Sequence, residues 1–173
     1  FFFGQFYAGL VFMVERLVRQ PLSLIVNAIW QVTHSDLPRM DHADRLLRIV
    51  QTHRVVVFLF SFPTAILLFF AHWLGPLLGA RWFELQYIAP WLAGSCYLNM
   101  ISNSTSYFIV FGKNRVQQRF DLSLLACRLL ALIYGARYLS PVQTVALYSV
   151  ATSVVYISIN IFWGIQLKVL KDF

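Results

Sequence analysis

Apolar positions in this chain come in long runs, and the polar positions inside those runs recur at helical spacing. Residues 86–111 contain no charged side chain. At ~1.5 Å per residue, such a run is long enough to cross the ~30 Å hydrocarbon core of a bilayer. Aromatic residues stand near both of its ends: Trp82, Tyr87 and Trp91 at one, Tyr107, Phe108 and Phe111 at the other. That is the distribution of an interfacial belt. Similar runs cover 55–79, 121–139 and 141–167, and a weaker one covers 21–38. Residues 1–14 are apolar but too short to span, and are expected to be the end of a further helix. Residues 15–20 then form a polar joint. Pro21 and Pro141 suit the first turn of a helix, where the missing N–H costs nothing. Pro63 lies inside an apolar run and predicts a kink. Residues 39–54 are the most charged segment, partly amphipathic. They are expected to be helical, either continuous with the next span or lying along the membrane surface, with His42 and His53 in solvent.

The polar positions inside these runs fall on single faces. Ser23, Asn27, Gln31 and Ser35 are spaced at i, i+4, i+8 and i+12; Ser95, Asn99, Ser102, Asn103 and Ser106 form a second set; Ser149, Thr152, Ser153, Tyr156 and Asn160 form a third. Such faces either glue helices together or line a wet cavity. The first ladder has no Lys or Arg, which favours a bundle interior over a surface-lying helix. Arg128 stands in mid-span, about nine residues from both Arg119 and Arg137. A cation at that depth costs at least ~2.5–3.5 kcal/mol and is expected to face a cavity or a partner.

Composition narrows the class. The chain has 173 residues, 59% of them hydrophobic and 12% charged, too apolar for a soluble domain of this length. The net charge of +7 would suit nucleic acid. However, the cations sit in short clusters between apolar runs, as anionic headgroups and the positive-inside bias require, so no nucleic acid is expected. Cys96 and Cys127 are isolated thiols, and the four histidines show no metal-ligand spacing. There is no carboxylate pair inside a span, no phosphate loop and no nucleophile elbow. Neither an enzyme, a metal nor a cofactor is expected. The chain opens FFFGQFYAGL, inside an apolar run, and is expected to be part of a longer protein.

If successive spans alternate sides, Arg39, Arg45, Arg48, Arg54, Lys113, Arg115, Arg119, Lys168 and Lys171 share one side, and Arg16, Arg19, Arg81 and Arg137 the other. The first group is expected in the cytoplasm, and the C-terminus with it.

The series Gly79, Trp82, Tyr87 to Leu92 and Phe111 to Arg115 resembles a stretch of the polysaccharide transport family. These are the O-antigen, capsule and exopolysaccharide flippases of the multidrug/oligosaccharidyl-lipid/polysaccharide exporter superfamily. A second likeness lies upstream, in Ala8 to Leu10, Glu15 to Leu17, Pro21 to Ile25, Gln31 and Val32. The resemblance implies an all-α, polytopic integral membrane bundle, the C-terminal lobe of a twelve- to fourteen-helix flippase, in the bacterial inner membrane. It implies alternating access against an N-terminal lobe outside this chain, with a polyprenyl-diphosphate-linked oligosaccharide as substrate and membrane lipids around it. It also admits the polysaccharide polymerisation machinery as a partner. On that basis Arg128 would meet the diphosphate, and Asn27, Gln31, Asn99 and Asn103 the sugar. Two alternatives remain open: a drug or cation exporter of the same superfamily, whose pocket should favour carboxylates, and a non-transporting membrane scaffold, whose polar ladders should not converge.

Overall fold

A computed structural model describes residues 9, 11–13, 16, 19–79, 82–102 and 112–171. The fold is all-α, with no strand among the described residues. Among the described residues five helices follow one another: α1 Gln20–Asp36, extended by a 3₁₀ turn at Leu37–Arg39; α2 His42–Leu78; α3 Leu85–Ser102; α4 Asn114–Tyr138; and α5 Pro141–Lys171. Of the segment 39–54, residues 42–54 are thus the start of α2 and continuous with the apolar run. α2 passes Pro63 and Pro76 without a break, which a helix tolerates when neighbours or side chains serve the freed carbonyls. It stops at Gly79, whose φ of 98° suits only glycine. α4 starts earlier than expected, taking in the cations 115–119 after a turn at Gly112, whose φ is 69°. α5 opens on a capping box. The Ser140 N–H donates to Gln143 Oε1 at 3.1 Å, the Gln143 N–H returns to Ser140 Oγ at 3.4 Å, and Pro141 takes the first turn.

Cross-helix pairs give the directions. Ser61 meets Tyr97 at 2.8 Å, and Ala71 packs with Leu85, Ile88 and Leu92, so α2 and α3 are antiparallel. Phe120 meets Phe162 edge-on, and Gly135 meets Thr144, so α4 and α5 are antiparallel. Asn99 and Ser102 meet Tyr156 and Asn160, so α3 and α5 run parallel. The start of α2 and the start of α4 therefore lie at one end of the bundle, with Arg39, Arg45, Arg48, Arg54, Lys113, Arg115 and Arg119. Arg137 lies at the other.

The N-terminal residues depart from the expected layout. Residues 9 and 11–13 are helical, Arg16 and Arg19 lie in a wide π-helical turn, and Arg19 is itself helical at φ −72°, ψ −42°. Pro21 explains the widening: it offers no N–H and its ring crowds the carbonyl four residues back. Val11 packs beside Ala71 and Leu85 at the far end of the bundle, whereas α1 leads to the cationic end. Arg16 and Arg19 accordingly belong to the bundle's middle, not to a loop on the far side.

The main core gathers Val26, Trp30 and Leu37 from α1, Ile49, Val56 and Phe60 from α2, Met100 from α3, and Val155, Ile159 and Trp163 from α5. Apolar faces also point outward: Phe58, Phe62 and Phe69 of α2 are 84, 72 and 75% exposed. Among the described residues two helices are long and apolar enough to cross a membrane, Asp44–Trp73 and Pro141–Ile165. Only 17% and 28% of their most apolar windows are buried, unlike the core helix of a soluble protein. α1 has 17 residues, and α3 is described over 18. α4 is broken up by Arg115, Arg119, Asp121, Arg128 and Arg137.

Candidate functional site

Polar groups converge where α3, α4 and α5 meet, around Tyr156. This residue is 6% exposed, at the midpoint of α5. Its hydroxyl accepts a hydrogen bond from Asn99 Nδ2 of α3 and one at 3.1 Å from Arg128 Nη2 of α4. Two acceptances saturate the lone pairs of a phenol oxygen. Arg128 Nε donates to Thr152 Oγ1 at 3.4 Å, and its guanidinium lies over the Tyr148 ring at 5.6 Å from the centroid. One turn along, Asn160 Nδ2 donates to Ser102 Oγ at 2.7 Å and to the Tyr156 carbonyl at 2.8 Å. The third polar set of the sequence supplies most of these groups, because i, i+4 and i+8 from Thr152 all face α3 and α4.

The electrostatics of the cluster are one-sided. Arg128 is held by two hydroxyls and an aromatic face, and no carboxylate contacts it among the described residues. Its Nη1 makes no hydrogen bond there, so donors of the guanidinium fork remain for another acceptor. Arg19 lies near enough for its charge to act on the Tyr156 hydroxyl. Beside it, Phe12, Arg16, Arg19, Gln20 and Ser23 line a cavity of about 190 Å³. A second cation thus acts through space on the buried hydroxyl that Arg128 contacts.

The expected residues fare unequally. Arg128 and Asn99 meet at Tyr156. Asn103 lies outside the described residues. Asn27 and Gln31 are exposed and take no part in the cluster, contrary to their expected place in the bundle interior. The reason is geometric: α1 buries Val26, Trp30, Thr33 and Leu37, and the ladder at 27, 31 and 35 lies one residue, about 100°, around the helix from that stripe. Ser23 and Ser35 bond back to the carbonyls of Gln20 and Val32. His53 is also not in solvent; it is half-buried and lines a small cavity with Leu98, Ile101, Ile157 and Asn160. Tyr156, Thr152, Tyr148, Ser102, Asn160 and Arg19 belong to or adjoin the cluster and were not singled out as binding residues. No group of three His, Cys, Asp or Glu among the described residues could hold a metal.

If Tyr156 is the hub, Tyr156→Phe should strand two donors without altering ring packing. Interhelical hydrogen bonds in bundles are worth ~0.6–2 kcal/mol each. A loss of about 1–2 kcal/mol is expected, read as a lower thermal midpoint of the detergent-solubilised protein by tryptophan fluorescence. An unchanged midpoint would remove Tyr156 from that role.

No protein-family model, curated protein or solved structure matches the chain.

Proposed function

We propose that this chain is the C-terminal lobe of a polytopic flippase that carries polyprenyl-diphosphate-linked oligosaccharides across the bacterial inner membrane. One observation carries the proposal: in the middle of an apolar bundle, Arg128 is anchored by Tyr156 and Thr152, with the Nη1 side of its fork uncommitted and no carboxylate against it among the described residues. Such a cation lowers the barrier to an anion crossing a low-dielectric region. The diphosphate is the anionic part of the proposed substrate, and the hydroxyl and amide groups around Tyr156 offer partners to sugar hydroxyls. The outward apolar faces of α2 and α5 suit lipid. The wide turn at Arg16 and Arg19 resembles the interrupted helices that transporters place at mid-membrane sites. A drug or cation exporter fits less well, because Arg128 repels a cation. A scaffold role draws on one specific observation, the saturation of Tyr156 by its own neighbours. Export by Arg128→Ala and Arg128→Lys variants separates these two readings.

The orientation makes its own prediction. With Arg16 and Arg19 withdrawn to mid-bundle, the cation asymmetry between the two ends sharpens, and the end bearing Arg45 and Arg115 is expected in the cytoplasm. Single cysteines at 45 and 115 should be shielded from an impermeant thiol reagent in intact cells and labelled in inverted vesicles. A cysteine at Arg81, outside the described residues, should do the reverse. Labelling of 81 and 115 from the same side would end the multi-pass arrangement.

A further inference from the structure

α1 and the charged start of α2 do not close on each other. Between them lies a groove of about 800 Å³, lined by Ala28, Ile29, Val32, Thr33, Arg48, Gln51, Thr52, Arg54 and Val55. Its volume falls in the range of sites that hold a small amphiphile, ~300–1,000 Å³. Its walls are mostly apolar. Its floor is the contact of the buried Thr33 and Thr52 hydroxyls, 3.3 Å apart.

Charge and depth distinguish this groove from a bare apolar face. Arg54 makes no ion pair among the described residues. Arg48 has one, an exposed contact of Nη2 with Asp36 at 3.6 Å, and pairs of that kind bind weakly. The Nε of Arg48 is buried, but its side chain as a whole is 43% exposed, so the guanidinium still presents charge to the groove. From Val55, where the apolar part of α2 begins, to Leu78 is about 36 Å at ~1.5 Å per residue. That length covers the hydrocarbon core, leaving Arg54 at its edge and Arg48 about 10 Å beyond, in the headgroup layer. Ile29, Val32 and Val55 lie on the hydrocarbon side of Arg48.

We propose that this groove seats an anionic phospholipid of the bilayer, its phosphodiester on Arg48 and Arg54 and the upper part of an acyl chain against Ile29, Val32 and Val55. The site is separate from the Tyr156 cluster. It rests on the membrane reading of the chain but not on the transported substrate. The exposed guanidinium of Arg54 and the exposed part of that of Arg48 offer the phosphodiester oxygens charge-assisted hydrogen bonds. A zwitterionic lipid would bring its own cation to the same arginines and gain less.

The test uses the full-length protein in detergent, titrated with phosphatidylglycerol or phosphatidylcholine of identical chains and read by native mass spectrometry. Each arginine near the headgroup layer contributes about fivefold in affinity, so phosphatidylglycerol is expected to be retained well over tenfold better. Arg48→Gln with Arg54→Gln should bring it down to the phosphatidylcholine level. Val32→Trp, at a site 58% exposed and so harmless to the core, should lower retention of both lipids by filling the groove. Equal retention by the unaltered protein, or a preference that survives loss of both arginines, overturns the proposal. Alkaline carbonate extraction separates the two possible failures. Release of the protein from membranes overturns the membrane reading and this site with it, whereas retention without lipid preference overturns the site alone.

Discussion

Arg128→Ala in the full-length protein is expected to abolish glycan export while leaving protein abundance in the membrane unchanged. A single charge-assisted hydrogen bond is worth ~1.5–3 kcal/mol, roughly ten- to hundredfold in rate or affinity, and losing the whole cation removes more than one. The fold should withstand the change. Tyr156 keeps Asn99 as a partner, and Thr152 sits on a helix whose own carbonyls are within reach of its hydroxyl. The variant also escapes the ~2.5–3.5 kcal/mol that a mid-span cation costs on insertion. Stability and transport are thus expected to move independently.

Arg128→Lys divides the contributions of charge and geometry. Arginine anchors itself through Nε and Nη2 and still presents Nη1. Lysine has one nitrogen and cannot bond Thr152 and Tyr156 while offering a planar fork to a phosphate. Partial export is expected, above Ala and below the parent, measured as surface glycan against membrane abundance by immunoblot. If Arg128 serves only as interhelical glue, the Ala variant exports normally. Near-normal surface glycan in that variant would remove Arg128 from transport and leave the Tyr156 cluster a packing device.

The helices were legible in the sequence because their determinants are local. Pro21 and Pro141 at first turns, the uncharged run from Gln86 and the glycine after Leu78 each act within a few residues. The Tyr156 cluster was half legible: spacing shows that Asn99 and Ser102 share a face, as do Thr152, Tyr156 and Asn160, but which faces meet depends on the register between helices. Register is also what misplaces Asn27 and Gln31. α1 carries two periodic stripes side by side, one with Val26, Trp30, Thr33 and Leu37 and one with Asn27, Gln31 and Ser35. Burial of the apolar stripe, anchored by Trp30, releases the most area from solvent and leaves the polar one outside. The π-helical turn at Arg16 and Arg19 was not legible, since charge next to proline reads equally as a loop.

The α4–α5 hairpin that presents Arg128 to Tyr156 depends on close contact at Gly135, and this yields the largest expected effect on stability. A Cβ at Gly135 would stand 2.7 Å from Thr144 Oγ1 and 2.9 Å from Thr144 Cβ, and closer still to Cγ2. Thr144 cannot turn away cheaply: it is 2% exposed, and its Oγ1 donates to the Ser140 carbonyl at 2.9 Å. The helices must therefore separate. Overpacking of this kind costs ~1–3 kcal/mol, more than the ~1 kcal/mol that alanine gains over glycine in a helix. Gly135→Ala should lower the thermal midpoint in detergent, and Gly135→Leu should prevent accumulation of folded protein. Gly164 on α5 is the internal control, because a Cβ there meets nothing within 4 Å. The same Gly→Ala change at 164 should be neutral or stabilising. Thr144→Ala removes the two nearer clashing atoms, but Cβ remains, so it should restore Gly135→Ala only in part. Since Arg128 lies two turns along the same interface, export should fall with the spacing of the hairpin in Gly135→Ala and recover with it in the double variant. A Gly135→Ala protein as stable as the parent would mean that α4 and α5 do not approach at this point.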